Sequence, residues 1–449
     1  MYTFCINIIY VKFNYRMDIG IIGFGVSGIA CCRWALHYGF TPTVYEQNNN
    51  LGGSWLTKSY PNVSLQTNKY SYNFSDIPMM DSVSLYPSLE EVTNYLQDYV
   101  EYHDLKKYVK FSSKITFIEI SEKKWKIKYI RDNVEIIAEH SKLVICTGFY
   151  TDPIHNISNN NNVIPVSEFS PNGKYFKDYN TLFKNKDIIV IGNGPSGCDL
   201  TCLAIENDAK SVKLFYRKPR WIFNRYLFSY SLHFLTNRFF LTLANSIPFS
   251  IVRIVLSILF MIPIYWYNFK INFEFPNEPV SRNNLTLNDK FYFYQNYNKF
   301  EYINEPILDI MENRVKSNKR LYNYDIVIDA RGYKNDIKLL GLNSIPKLYK
   351  HIIYPGIDNL GFIGFAASFN WIMISDLQSR WLMEYFLGKI NIGNLTNQRD
   401  YIGEETTKRN DFHDLAYDNY EYCDILASDL KIKGKKSYFN VPNYNEWNS

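Results

Sequence analysis

The 449-residue chain is poor in the two residue types that build disulfide frameworks and metal centres, with seven cysteines and seven histidines. The cysteines are odd in number and scattered, and no Cys-x-x-Cys occurs. This pattern excludes a disulfide scaffold and favours a reducing compartment. The histidines and cysteines also lack the pair spacing of a metal site, so we predict that the protein binds no metal.

A strong excess of charge of one sign is also missing. Lys and Arg number 49 and Asp and Glu number 44, which leaves a net charge of +5. A dedicated nucleic-acid-binding protein carries a stronger, clustered basic surface, so we exclude nucleic acid as a partner. The shares of hydrophobic residues (46%) and charged residues (21%) are typical of a globular chain, and the length predicts two or three domains.

No hydrophobic run is long enough to span a bilayer. The apolar stretch between Pro248 and Pro263 is shorter than the roughly 20 residues that a crossing helix needs, and it contains Arg253. Residues 1–16 lack the basic start and the cleavage site of a signal peptide, so we expect an N-terminal extension there. The last residues are polar, so we expect no hydrophobic anchor at the C-terminus. We therefore expect a cytoplasmic protein.

A glycine-rich motif follows a short predicted strand over residues 18–22. Gly23, Gly25 and Gly28 have the spacing Gly-x-Gly-x-x-Gly, and a predicted helix and a second strand lead to Glu46. This order is the fingerprint of a βαβ unit that binds a dinucleotide. The glycines allow a tight turn, a close pyrophosphate and a closely packed helix, and the carboxylate accepts hydrogen bonds from a ribose. A glycine turn that binds nothing is the alternative.

The residues directly after Glu46 narrow the choice of dinucleotide. Gly52 and Gly53 leave room for a second part of a large ligand, and Trp55 follows at a position that could line it. The alternative for Trp55 is an ordinary core aromatic. The pattern suits FAD better than a smaller nicotinamide cofactor.

The same motif occurs again after a second predicted strand, over residues 187–191. It consists of Gly192, Gly194 and Gly197, a helix, and a strand that ends in a basic pair instead of an acid. The pair, Arg217 and Lys218, takes the place that Glu46 holds in the first unit. A carboxylate would repel the 2′-phosphate of NADPH, whereas a guanidinium binds it with two hydrogen bonds. We therefore predict NADPH in the second unit, with a solvated strand end as the alternative.

Two dinucleotide sites in one chain predict hydride transfer from a nicotinamide to a flavin. Disulfide reductases share this plan but need a redox-active cysteine pair. Cys31 and Cys32 are adjacent, and Cys198 and Cys202 lie four apart on a predicted helix, so neither pair suits that chemistry. The sequence therefore predicts an α/β protein with two Rossmann-type domains that acts as an NADPH-dependent flavoprotein.

Several further segments, in their order along the chain, resemble the flavin-containing monooxygenases, which are class B flavoprotein monooxygenases. They are residues 65–69, 146–148, 216–221, 329–333 and 376–381. The resemblance implies that NADPH reduces FAD and that O2 adds to the flavin C4a position as a hydroperoxide. An oxygen atom then passes to an amine nitrogen or thioether sulfur of a small, lipophilic substrate. This is the activity of an N,N-dimethylaniline-type monooxygenase.

The matched segments also imply roles for single residues. Asn68 would lie at the flavin as the catalytic residue, with its amide donating a hydrogen bond, and Gln378 would lie in the cofactor site. Asp376 is a good N-cap, so we predict a helix that begins there and runs to about residue 389. Its N-terminus would face the flavin ring and stabilise the anionic reduced form.

Two residues depart from the family pattern. Lys177 stands where a histidine is expected, and Arg331 stands where a threonine is common. Both departures question the coupling of NADPH oxidation to oxygenation. The alternatives are an uncoupled NADPH oxidase, a Baeyer–Villiger-type monooxygenase, which the altered histidine motif disfavours, and a non-catalytic flavin-binding protein.

The domain order places the NADPH unit inside the FAD unit. We expect the FAD domain over residues 17–179 and 321–449, and the NADPH domain over residues 180–320, with an apolar insert at 226–268. The strand over residues 325–329 would mark the return to the FAD domain. No oligomeric state is assigned.

An apolar helical face lies within the insert, and it is formed by Ile251, Ile254, Val255, Ile258, Leu259 and Ile262. One interpretation is a helix packed over the active site. The other is peripheral contact of residues 247–267 with a membrane such as the endoplasmic reticulum, which would guide lipophilic substrates.

Overall fold

The computed structural model describes nine continuous stretches of the chain and isolated residues between 237 and 277. The stretches are residues 17–121, 124–154, 160–227, 230–231, 285–334, 337–340, 346–366, 370–393 and 419–432. The expected extension at residues 1–16 and most of the expected insert at residues 226–268 lie outside the described residues.

Strands and helices alternate along the described residues. The strands are β1 (Asp18–Ile22), β2 (Thr41–Tyr45), β3 (Val109–Lys110), β4 (Lys114–Ser121), β5 (Lys124–Arg131), β6 (Val134–His140), β7 (Lys142–Ile145), β8 (Val163–Pro165), β9 (Asp187–Ile191), β10 (Ser211–Tyr216), β11 (Trp221–Phe223), β12 (Tyr226–Leu227), β13 (Tyr230–Ser231), β14 (Leu285–Leu287), β15 (Glu301–Asn304), β16 (Ile307–Ile310), β17 (Arg314–Ser317), β18 (Leu321–Asn323), β19 (Ile326–Asp329) and β20 (Leu360–Phe362). The helices are α1 (Val26–His37), α2 (Ser54–Thr57), α3 (Leu89–Tyr102), α4 (Tyr179–Phe183), α5 (Pro195–Glu206), α6 (Phe291–Asn296), α7 (Trp371–Phe386) and α8 (Asn419–Asp429).

The first unit is built on a parallel sheet with the strand order β20-β7-β1-β2-β3. Its central strand β1 is apolar because both faces of the sheet are covered. Ile19 and Ile21 point into a core shared with α1 and α7. Ile22 points to the other face, where the antiparallel sheet β4-β5-β6 packs through Trp125 and Ile127.

The second unit repeats this three-layer plan. Its parallel sheet has the order β15-β10-β9-β19-β8, with the apolar strand β9 at its centre. One face packs on α5 through residues such as Leu200 and Leu203. The other face packs on the antiparallel sheet β16-β17-β18 through Val315 and Tyr322. The prediction of two Rossmann-type units is therefore confirmed.

In the order of strands the second unit lies within the first, but two strands differ from the expected domain bounds. Strand β8, within the residues 17–179 expected for the first domain, belongs to the second sheet, where it pairs with β19. The segment at residues 325–329 was expected to return the chain to the first domain. It instead forms β19, which pairs with β9 and β8 inside the second sheet. The chain returns to the first sheet only at β20, which pairs with β7. The sequence of a short buried strand does not indicate which strand it pairs with, because an apolar strand can be accommodated in either sheet.

The last described helix, α8, is fastened to α7 and to a turn before β20. The Trp381 indole donates to Asp429 Oδ2 (2.6 Å), and Lys350 forms an ion pair with the same carboxylate. The Tyr422 hydroxyl donates to the Lys350 backbone carbonyl (2.6 Å). His351 follows in this turn, and its Nε2 is buried without a hydrogen-bond partner among the described residues.

We expect His351 to make folding stability depend on pH. Burial lowers the pKa of His351 to about 4. An unfolded chain has a histidine pKa of about 6.5, so below that pH it binds a proton that the folded chain rejects. The free energy of unfolding should fall as the pH falls from about 6.5 to 4, by about 1.4 kcal/mol or less per pH unit. Urea unfolding at pH 7 and pH 5 measures this slope.

His351→Gln removes the titrating group and serves as the comparison. Its free energy of unfolding should change less between the two pH values than that of the unmodified protein. Equal changes in the two proteins would contradict the buried, neutral state of His351.

Candidate active site

The first glycine turn is held by backbone atoms that leave no space for side chains. Gly23 has φ +100°, and a Cβ atom there would lie 2.6 Å from the Cys146 carbonyl oxygen. A Cβ on Gly28 would lie 1.9 Å from the Gly23 carbonyl oxygen. Helix α1 therefore starts directly against the end of β1, and its first N–H groups face the mouth of the turn.

Glu46 closes this turn from the end of β2. Its Oε2 accepts a hydrogen bond from the Phe24 backbone N–H (2.7 Å), and its Oε1 accepts from the Asn48 backbone N–H (2.9 Å) and side-chain amide (2.7 Å). The side chain is buried. A carboxylate has about four acceptor positions, so these three bonds leave acceptor capacity for a ribose hydroxyl. The structure thus places Glu46 at the turn, where the sequence predicted it.

The segment after Glu46 folds back onto the second glycine of the motif. A Cβ atom on Gly25 would lie 3.2 Å from the Gly53 Cα atom, so uncharged backbone lies over Gly25. Trp55 is half-buried, and its indole N–H donates to the Tyr72 hydroxyl (2.9 Å). Gly53 is therefore beside the turn, whereas the polar edge of Trp55 is already used inside the protein.

Asn68 is buried, with 2% of its surface exposed, and its amide has a fixed orientation. Its Oδ1 accepts hydrogen bonds from the backbone N–H groups of Tyr70 (2.9 Å) and Ser71 (3.2 Å), so Nδ2 is left as a donor. The adjacent Thr67 Oγ1 is buried and has no hydrogen-bond partner among the described residues. These neighbouring polar groups fit a bound polar ligand, because buried polar groups are otherwise paired.

Lys69 anchors the segment that carries Asn68. Its ammonium group donates to the backbone carbonyls of Met80 (3.1 Å), Asp81 (2.9 Å) and Val83 (2.8 Å). Three carbonyl oxygens satisfy all three ammonium donors, which allows the charge to be buried. The anchored Lys69 therefore fixes the backbone beside Asn68, and the N–H groups of Tyr70 and Ser71 fix its amide oxygen.

The second glycine turn has the same construction as the first. A Cβ on Gly192, at φ +108°, would lie 2.6 Å from the Ala330 carbonyl oxygen, and one on Gly197 would lie 1.7 Å from the Gly192 carbonyl oxygen. Asn193 links the turn to the segment after β10, since its amide donates to the Lys218 carbonyl oxygen (3.0 Å).

Arg217 and Lys218 follow β10 at the position that corresponds to Glu46. Both side chains are exposed to solvent. Tyr216, directly before them, is buried and stacks on Tyr302, with the ring centroids 4.0 Å apart. The pair therefore stands on a rigid base and is accessible to a ligand in the second turn.

The two units are joined by side chains of the segment before Asn68. The Tyr60 hydroxyl donates to Asp199 Oδ2 on α5 (2.9 Å), and burial raises the pKa of Asp199 to about 6. The Gln66 amide exchanges two hydrogen bonds with the Leu287 backbone, at 2.7 Å and 3.2 Å. These contacts place Asn68 beside the junction of the two units.

Gln378 contacts the first turn indirectly, through Gly364. It is fully buried, its Oε1 accepts from the Gly364 backbone N–H (3.0 Å), and its Nε2 donates to the Tyr422 hydroxyl (2.7 Å). A Cβ on Gly364 would lie 2.1 Å from Ser27 Oγ in the first glycine motif. Gln378 therefore positions Gly364 against the motif, with both of its own polar atoms already bonded.

The prediction that Asp376 begins a helix is wrong. Helix α7 begins five residues earlier, at Trp371, and Asp376 lies in its interior, fully buried. Its carboxylate accepts hydrogen bonds from the Trp34 indole and from the Ser75 backbone N–H (3.2 Å). Capping preference placed the start too late because this aspartate is used for packing between α1, α7 and the loop at Ser75.

The family described as flavin-binding monooxygenase-like matches residues 16–435 of the chain. The chain belongs to this family. A relative named probable flavin-containing monooxygenase 1, from Arabidopsis thaliana, is 24% identical and covers 96% of this chain and 95% of its own. The prediction of a flavin-containing monooxygenase family from the sequence motifs is thereby confirmed.

Solved structures of monooxygenases share the fold of this family member. An oxidized steroid monooxygenase bound to NADP superposes with a TM-score of 0.72 at 15% identity, over 92% of this chain and 97% of that chain. A crystal structure of OTEMO in complex with FAD and NADP superposes with a TM-score of 0.65 at 16% identity, over 96% of each chain.

The two departures from the family pattern differ in environment. Arg331 lies beside the second turn in space, with its backbone nitrogen 3.3 Å from the Cβ position of Gly192. Arg331 is held by Asp329 through two hydrogen bonds of 2.7 Å, so its charge is neutralised at the end of β19. Lys177 is exposed.

The sequence predicted no role for several residues that complete the site, although four of them lie in the segments 65–69 and 216–221 that resemble the family. They are Gln66 and Asp199 at the junction, Thr67 and Lys69 beside Asn68, and Arg220 beside Gly194. Their contacts join segments far apart in the chain, so residue spacing gives no signal for them.

We predict that equivalent glycine substitutions separate the two turns. Gly28→Ala should remove most of the flavin from the purified protein, because its Cβ would collide with the Gly23 carbonyl at 1.9 Å. Gly197→Ala should keep the flavin and lose NADPH binding, because its collision at 1.7 Å lies in the other turn. Flavin absorbance per chain and NADP+ titration measure the two effects.

Gly39→Ala is the control, since Gly39 has φ +82° and no atom within 4 Å of its Cβ position. It imposes backbone strain without touching either turn, so flavin content and NADP+ affinity should stay unchanged. Loss of flavin in Gly197→Ala as well would contradict two separate turns.

Proposed function

We propose that the protein is an NADPH- and O2-dependent flavoprotein monooxygenase that binds FAD in the first turn and NADPH in the second. The observation that carries this proposal is a pair of glycine turns with the same construction, one with an acidic residue and the other with basic residues at the end of the neighbouring strand. Glu46 lies at the first turn and Arg217 with Lys218 at the second. Membership of the flavin-binding monooxygenase-like family supports the reaction class.

The residues of the first turn fit FAD. The turn offers the N-terminus of α1 to a pyrophosphate, and Glu46 keeps acceptor capacity for a ribose. Thr67 and Asn68 supply a buried hydroxyl and an amide donor, neither with a partner for these groups among the described residues. Gln378 contributes by holding Gly364 against the turn.

The residues of the second turn fit NADPH. The N-terminus of α5 faces a pyrophosphate in the same way, and no acidic residue stands at the end of β10. Arg217 can bind a 2′-phosphate with two hydrogen bonds. NADH lacks this phosphate.

FAD, when bound, accepts hydride from NADPH and activates O2 for transfer to a soft nucleophile. The protein holds the two dinucleotides at the junction and keeps water out. The amide Nδ2 of Asn68 donates to a developing negative charge, and its orientation is fixed in advance by Tyr70 and Ser71. The substrate that this chemistry suits is a small, lipophilic amine or thioether.

A dithiol reductase built on the same plan is disfavoured. The cysteines of the described residues are buried and form no disulfide with one another. Burial raises the pKa of Cys31, Cys32 and Cys198, which keeps these thiols protonated and unreactive. Oxygen, not a disulfide, is therefore the electron acceptor that we propose.

Asn68→Asp tests the proposed oxygenation. The aspartate keeps an acceptor for Tyr70 and Ser71, so the segment should stay folded, but it replaces the amide donor with a charged acceptor. Removing one such donor costs on the order of 100-fold in comparable sites. We expect flavin binding and NADPH oxidation to persist, while oxygenated product per NADPH falls at least tenfold and free hydrogen peroxide makes up the balance.

The assay follows NADPH, product and peroxide together with a panel of tertiary amines and thioethers. Unchanged product yield in Asn68→Asp would contradict the role of Asn68. Peroxide as the sole product of the unmodified protein with every substrate would favour an uncoupled NADPH oxidase instead.

We further propose that residues 247–267 contact a membrane surface. No helix among the described residues is long and apolar enough to cross a membrane. The described residues between 250 and 261 are helical, and Ile251, Ile254, Val255, Ile258 and Met261 each expose between 46% and 59% of their surface. This spacing forms one apolar helical face, as in helices that lie in a bilayer interface. Leu259 and Ile262, also expected on this face, lie outside the described residues.

The paired substitution Ile254→Glu and Ile258→Glu tests this contact. Two charges on the apolar face should reduce co-sedimentation with phosphatidylcholine vesicles at least fivefold, because charged side chains oppose burial among acyl chains. Flavin content and NADPH oxidation should not change, since neither residue belongs to the turns. If both proteins stay in the supernatant, the membrane contact is wrong.

A further inference from the structure

The two glycine turns differ in what lies over their second glycine. In the first unit, the space above Gly25 is filled by the backbone of Gly53, 3.2 Å from the Cβ position. In the second unit, the corresponding space above Gly194 is bordered by the guanidinium of Arg220, with Nη1 at 3.7 Å and Cζ at 3.9 Å. A fixed positive charge therefore replaces neutral backbone at the point where a dinucleotide pyrophosphate approaches most closely.

Arg220 is held in this place from both sides. Its neighbour Trp221 begins β11 and is fully buried. On the other side, the Lys218 carbonyl oxygen accepts a hydrogen bond from Asn193, the residue between the first two glycines of the turn. The guanidinium is thus positioned by the same loop that it faces.

Among the described residues, Arg220 has no acidic partner of the kind that several other arginines have. Bidentate or close ion pairs join Arg33 to Asp76, Arg225 to Asp289, Arg238 to Asp424 and Arg331 to Asp329. The Nε of Arg220 is buried and has no hydrogen-bond partner among the described residues. Burial lowers the pKa of Arg220, and the groups that raise it are Cys198, Tyr302 and Tyr150, none of them a carboxylate.

A half-buried guanidinium with a buried Nε and no anion beside it is unfavourable, and a phosphate ligand reduces that cost. We propose that Arg220 binds the pyrophosphate of NADP(H), an assignment that rests on the proposed function of the second turn. It acts together with the N-terminal N–H groups of α5, which face the same phosphates. Arg217 has a different task at the ribose end, because it stands where Glu46 stands in the first unit.

Isothermal titration of the flavin-loaded protein separates the two arginines with three probes. NADP+ carries both the pyrophosphate and the 2′-phosphate, NAD+ carries only the pyrophosphate, and adenosine 2′-monophosphate carries only the 2′-phosphate. Arg220→Gln should lower the affinities for NADP+ and NAD+ by a similar factor, on the order of 10- to 100-fold. Its affinity for adenosine 2′-monophosphate should stay unchanged. Arg217→Gln is the matched control. It should lower the affinities for NADP+ and adenosine 2′-monophosphate and leave the affinity for NAD+ unchanged.

Arg220→Lys keeps the charge and should restore part of the affinity for NADP+ and NAD+, which a purely structural role would not produce. Unchanged NADP+ and NAD+ affinity in Arg220→Gln would overturn the assignment alone. A lower affinity of Arg220→Gln for adenosine 2′-monophosphate, with an unchanged affinity for NAD+, would also overturn the assignment. Arg220 would then bind the 2′-phosphate instead of the pyrophosphate. If the unmodified protein binds no NADP+, the proposed function fails and the assignment fails with it.

Discussion

The close approach between the first and third glycines of each turn is the contact on which the site depends. The carbonyl oxygen of the first glycine lies 1.9 Å from the Cβ position of the third in one unit and 1.7 Å in the other. Only a hydrogen fits there, so the helix can start directly at the strand end. This start brings the helix N–H groups and dipole to the ligand, and without it neither unit presents an anion-binding site.

Once both turns exist, we propose that charge decides which dinucleotide each one accepts. Glu46 at the first turn accepts hydrogen bonds and disfavours a 2′-phosphate, whereas Arg217 at the second turn favours it. Arg220 adds a charge above Gly194, where Gly25 has neutral backbone. Between the turns, Asn68 is held by Lys69 and by the junction hydrogen bonds of Gln66. On this proposal the same fold serves two different dinucleotides, with one buried amide placed beside the junction of the two units.

Sequence patterns were sufficient for local features and insufficient for long-range ones. The glycine turns, Glu46 and the order of the two units follow from spacing within about 30 residues, so they could be predicted. The strand β19 was assigned to the wrong sheet because its pairing with β9 is a long-range contact. The start of α7 was misplaced because Asp376 pairs with Trp34 across the core instead of capping the helix. Arg220 was overlooked because its contact with Gly194 appears only in the folded loop.

Anaerobic mixing of the flavin-loaded protein with NADPH tests most directly whether two dinucleotides meet at this junction. We predict that one equivalent of NADPH bleaches the flavin absorbance near 450 nm while the flavin stays bound, and that NADH does so at least tenfold less effectively at equal concentration. A flavin that stays oxidised, or that NADP+ displaces from the protein, would contradict two separate dinucleotide sites.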